Sequence, residues 1–101
     1  MPLSVFGFIV KGPGYKADAH NAQLSSGLFT TFVVGVADFA AAQLAAQALV
    51  TNGVQLIELC GGFTESEAAQ MRQHIGPNVP IGVVVYSPAQ ATALANLFAS
   101  S

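Results

Sequence analysis

The chain has 101 residues, 52% of them apolar and 8% charged, and a net charge of −2. That length holds one domain, residues 1–101, around one core, and the composition excludes disorder. Lys11, Lys16 and Arg72 are too few to track phosphates, so nucleic acid is not expected as a partner; no polybasic segment addresses a membrane surface.

The first apolar run, Leu3–Val10, has no basic region before it, and Lys11 ends it. It fits neither a signal peptide nor a membrane span. With Phe29–Val36, Val54–Cys60 and Ile81–Tyr86 it makes four short runs rich in Val, Ile and Phe, each bounded by Gly, Pro or Asn. These features predict strands, and continuous apolarity predicts strands buried on both faces. Helical patterns lie between and after them. The first, Ala19–Ser26, has Asp18 as cap and Gly27 as stop. The second starts at Asp38 and runs to about Thr51, where Asn52-Gly53 ends it. The third opens on Thr64-Glu65-Ser66-Glu67, a capping box, and stops at Gly76-Pro77. The fourth begins Ser87-Pro88-Ala89-Gln90 and carries Leu94, Leu97 and Phe98 as its apolar stripe.

This alternation predicts an α/β three-layer sandwich with a four-stranded, mostly parallel sheet. Numbering the four runs in chain order, the expected strand order is 2-1-3-4. A ferredoxin-like α+β sandwich is the alternative, but it requires a hairpin where the second helix lies. So apolar a chain, with far fewer charges than the usual 25% or so, is expected to form a homo-oligomer, with the fourth helix at the subunit interface. Cys60 is the only cysteine, which excludes an internal disulfide and fits a reducing cytoplasmic location.

In an open parallel sheet, ligands sit beyond the carboxyl ends of the strands where the order reverses. Here that point joins Lys11-Gly12-Pro13-Gly14-Tyr15 to Cys60-Gly61-Gly62-Phe63. Lys11, Gly14, Tyr15, Gly61 and Gly62 are the candidate ligand-binding residues. A small anion is the expected ligand, met by Lys11 and the start of the third helix. Glu58, Cys60 and His20 are the candidate catalytic residues. Glu58 and Cys60 share a face of one strand, a thiolate could be the nucleophile with Glu58 as acid or base, and His20 could carry a proton. A carboxylate in an apolar strand is expected to be buried and paired, with Lys11 or with loop N–H groups. Inert packing is the competing reading of Cys60. His74, in the last turn of its helix, complements the helix dipole. No metal site is expected, because two distant histidines and one cysteine lack ligand spacing. No cofactor is expected either. Gly12-Pro13-Gly14-Tyr15-Lys16-Ala17 has the form G-x-G-x-x-A, but Pro13 lacks an N–H and the chain lacks a second mononucleotide-binding half.

Pro13-Gly14-Tyr15 with His20, Val34-Gly35-Val36, Glu58-Leu59-Cys60-Gly61-Gly62-Phe63 and Val79-Pro80-Ile81-Gly82 together resemble a family of small bacterial proteins of unknown function, about as long as this chain. Gly12 stands where that pattern has Ala, and Thr64 where a Gly is common. The resemblance carries no activity with it. Three functions therefore stand as expectations: binding of a small anionic metabolite at the carboxyl edge of the sheet; a small isomerase, lyase or hydrolase; and a structural oligomer subunit.

Overall fold

Val5–Lys11 forms β1, the central strand of the sheet. The computed structural model describes residues 2–100. After β1 come β2 (Asn21–Ser25), β3 (Thr30–Val36), α1 (Phe39–Thr51), β4 (Leu56–Leu59), α2 (Glu65–Ile75), β5 (Ile81–Val83) and α3 (Pro88–Ala99). The sheet order is β2-β3-β1-β4-β5. β3, β1, β4 and β5 run parallel, and β2 pairs antiparallel with β3 at the edge. The fold is thus α/β, with a mixed five-stranded sheet and three helices. The four expected runs lie side by side in the expected sequence, and the ferredoxin-like alternative does not hold.

The expected helix at Ala19–Ser26 is instead the edge strand β2. A segment so short nucleates a helix poorly, whereas the exposed edge of β3 offers backbone partners to it. Ser26-Gly27 makes the hairpin turn. Gly27 sits at φ 89°, a conformation that suits glycine, and Ser26 N–H donates to the Phe29 carbonyl at 3.1 Å. Asp18 caps nothing. The chain reverses through a single turn in which the Lys16 carbonyl accepts from the N–H groups of Ala19 and His20. With no helix after β1, the G-x-G-x-x-A pattern lacks the element it would need.

The core lies on one face of the sheet. Ile9, Val36, Ile57, Leu59 and Ile81 point from it into Ala42, Ala45, Ala46 and Leu49 of α1 and Ala68 and Met71 of α2. Alanines on α1 let that helix lie close to the sheet. Asp38 Oδ1 accepts from Ala41 N–H at 2.8 Å to start it. At α2 both halves of the Thr64–Glu67 capping box are formed.

The opposite face is the main departure from expectation. Three layers need helices on both faces, but the β1-to-β3 connection, which could have supplied one there, is spent on the β2 hairpin. Phe6, Phe8, Val10, Thr31, Val33 and Leu56 on this face are all half-buried, where strands covered on both sides were expected. α3 buries none of its residues. Val84–Tyr86, expected as strand, lie beyond β5 and are exposed.

Candidate functional site

The parallel register sets the rows of the open face. Phe8 pairs with Val33 on one side and Glu58 on the other, and Glu58 pairs with Gly82. Strand partners in one row share a face, so Glu58 stands in the middle of an apolar surface. It is exposed, not buried. Among the described residues its carboxylate has no hydrogen bond and no ion pair, so the expected contact with Lys11 is absent. The physical reason is the missing third layer: an open face leaves the carboxylate in water, where it needs no partner. Lys11 lies elsewhere, its Nζ 5.7 Å from the centre of the Phe63 ring.

The two loops singled out by strand order do meet. Cys60 N–H donates to the Ile9 carbonyl at 3.1 Å, and Lys11 N–H donates to Cys60 Sγ at 3.2 Å. Cys60 therefore joins the ends of β1 and β4, half-buried against the core. A thiol so engaged serves packing, which favours the structural reading of Cys60. Gly62 faces Cys60 Sγ and the Lys11 side chain, while Gly61 lies under the Tyr86 ring. Gly14 supplies a turn at φ 79° with open space around it.

Tyr15 lies across the carboxyl ends of β1 and β3. A Cβ on Gly35 would come within 2.8 Å of Tyr15 Cγ, and one on Gly12 within 2.8 Å of Tyr15 Cε2, so both glycines admit the ring. His20 stands beside it, ring centres 5.4 Å apart and tilted. Lys16 N–H donates to His20 Nδ1 at 2.9 Å, and Gly35 N–H donates to the His20 carbonyl at 2.8 Å. With Nδ1 accepting, neutral His20 carries its proton on Nε2 and is a donor there. Tyr15, His20, Val10, Val33, Ala22 and Asn21 line a cleft of about 210 Å³ on the open face. Val33 stands two strands from Glu58 in the same row, which is about 10 Å.

The start of α2 is less suited to an anion than its sequence suggests. Thr64 N–H already donates to Glu67 Oε1 at 2.9 Å, and Glu67 N–H to Thr64 Oγ1 at 3.1 Å. Glu65 and Glu67 also put negative charge on this positive helix end. His74 lies in the last turn of α2 beside Arg72, and no described His, Cys, Asp and Glu cluster could hold a metal. No described helix is long and apolar enough to cross a membrane.

The geometry adds three residues that the sequence reading passed over. Gly35 and Gly12 owe their roles to Tyr15, a contact between strands that no local pattern reveals. Tyr86 reaches Gly61 only because the chain continues straight beyond β5.

These features belong to the matched region of a known family model, which spans residues 4–99. The chain belongs to a family of unknown function (DUF6506). No curated protein and no solved structure matches it. The family has no assigned activity, and only the side chains speak to function.

Proposed function

We propose that this protein binds a small metabolite bearing a carboxylate or similar oxyanion at the carboxyl edge of its sheet, on the open face beside Tyr15 and His20. The observation that carries the reading is the hydrogen bond that Lys16 N–H donates to His20 Nδ1. With Nδ1 accepting, Nε2–H of the neutral ring is left to donate, beside the Tyr15 ring. Val10 and Val33 offer an apolar floor for the rest of the ligand, and no carboxylate lines the cleft to repel an anion. The cleft is small, which fits a metabolite and not a dinucleotide.

A backbone NMR titration of the full chain with small carboxylates and their neutral amides tests this. Shifts are expected at Tyr15, His20 and Gly35 with the acids, and weaker ones with the amides. Tyr15→Phe and His20→Ala should each weaken binding by about tenfold or more, as expected for a lost hydrogen bond to a charged group. Shifts confined to Gly61 and Gly62 would move the site to the α2 side. No shifts with any acid would end the reading.

Glu58 supports a second reading, that of a small isomerase, lyase or hydrolase. An exposed carboxylate with no partner among the described residues is available to take or give a ligand proton. In that reading Glu58→Gln abolishes turnover of a bound ligand and leaves its affinity intact.

A further inference from the structure

One chain carries both an apolar sheet face without a helix and an apolar helix with no buried residue. Residues 75–101 contain no Asp, Glu, Lys or Arg. None of the residues of α3 is buried; Leu94 is half-buried and Leu97 is 62% exposed. A helix with no charged face is normally a buried one.

We propose that two copies of this chain exchange α3, each laying its Leu94–Leu97 stripe across the other copy's open sheet face over Phe8 and Glu58. This goes beyond the ligand reading and does not depend on it.

Three observations support the exchange, and the first of them sets a second copy above the helix's own sheet. The first is the direction of the tether. Val84 N–H donates to the Leu59 carbonyl at 2.9 Å, so the chain leaves β5 in line with the strand. Ser87 is extended, at φ −61° and ψ 159°, as a following proline requires. No glycine follows Gly82 to reverse the chain. α3 is thus carried away from its own sheet, and the molecule measures 42 Å along its longest axis against 28 and 27 Å across.

The second is area. A folded monomer of 10.3 kDa exposes about 5,400 Å² by size scaling, yet this chain exposes 6322 Å². The excess of about 900 Å² matches one partner's share of a standard interface, about 800 Å².

The third is complementarity. Helical spacing puts Gln90, Ala91, Leu94 and Leu97 on one stripe, with Gln90 its polar member. Across the open face, Glu58 is the carboxylate in an apolar row between Phe8 and Gly82. An amide donor on the stripe and a carboxylate acceptor on the face satisfy each other. Exchange also closes on itself, because each copy gives one helix and receives one.

The test has two parts. By sedimentation at micromolar concentration the full chain should have about twice the 10.3 kDa mass of one copy, and Leu97→Asp should weaken the dimer by about tenfold or more. The triple variant Cys60→Ser, Glu58→Cys, Gln90→Cys, treated with a short bis-maleimide, should give a covalent dimer on a denaturing gel. A monomeric wild-type chain overturns the proposal, as does a dimer indifferent to Leu97→Asp. A cross-link formed only within one chain also overturns it, since α3 would then cover its own sheet. So does the absence of any cross-link.

Discussion

Helices α1 and α3 are close in composition and opposite in fate. Both are rich in Ala and Leu, and neither contains a charged residue. α1 buries Ala42, Ala45, Ala46 and Leu49; α3 buries nothing. The difference lies in attachment. α1 is tied at both ends, to β3 and to β4, and these flank β1 in the sheet, so its crossover must pass over β1. α3 follows β5, a strand at the sheet's edge, and no described strand after it draws it across the sheet. Burial here is decided by where the chain delivers a helix, and apolarity alone does not decide it.

Matched leucines on the two helices put that contrast to its hardest test. Leu49 is 6% exposed and Leu97 62% exposed. Leu49→Ala should cost about 2–5 kcal/mol, the transfer loss plus the cavity left in the core. Leu97→Ala should stay within about 0.5 kcal/mol when the protein is dilute enough to be monomeric. Urea unfolding at low concentration measures both. Equal losses would mean that α3 packs on its own domain and would break the comparison.

Two of the tyrosine–glycine contacts sharpen it at the sheet's carboxyl edge. An added Cβ at Gly35 would meet Tyr15 Cγ at 2.8 Å, near the root of the side chain, which cannot swing aside cheaply. At Gly61 the nearest atom is Tyr86 Cε1 at 3.4 Å, an ordinary contact on a more mobile part of a ring. Gly35→Ala should therefore cost about 1–3 kcal/mol by overpacking, and Gly61→Ala distinctly less. Thermal melts of the two variants, with near-UV circular dichroism to follow the tyrosines, check the order. If the two losses are alike, Tyr15 is no better seated than Tyr86.

What could be read from the sequence follows the same division. Local signals decided the helices with strong ends: Asp38, the Thr64–Glu67 box and Ser87-Pro88 each sit where a helix starts. The α/β class followed from alternation and handedness. The four expected strands keep their relative order, but the fifth strand at the edge was not foreseen, and the Lys11 and Cys60 loops meet. Asn21–Ser25 was not legible as a strand, because an exposed edge strand lacks apolar alternation and its pairing partner is chosen by β3, not by its own residues. Glu58 was misread as buried for a related reason. An apolar run looks the same whether its second face is covered by the chain's own helix or left open. The Tyr15–His20 pair was placed at the correct edge, but its seat on Gly35 depends on a strand distant in sequence.

Caps offer a smaller comparison between α2 and α3. Thr64 Oγ1 accepts from Glu67 N–H, whereas the Ser87 side chain makes no capping hydrogen bond. Thr64→Ala should cost about 1 kcal/mol. Ser87→Ala should cost only a few tenths, because no capping bond is lost. Equal effects in urea unfolding would show that Ser87 caps α3 in solution.

The smallest expected effect bears on the open face itself. In a Leu97→Asp background, which is designed to hold the protein monomeric, Glu58→Gln should leave stability within about 0.5 kcal/mol, since an exposed carboxylate without a partner contributes little. In the wild-type background the same change replaces a charge by an amide opposite Gln90 of the other copy. A charge-assisted hydrogen bond is then exchanged for a neutral one, which is roughly half as strong. Dimer affinity should therefore fall modestly while the monomer's unfolding curve does not move. Paired sedimentation and urea measurements separate the two quantities. A loss of monomer stability above about 1 kcal/mol would mean that Glu58 has a partner within its own chain, and the open face would then be no more than a paired surface awaiting its contact.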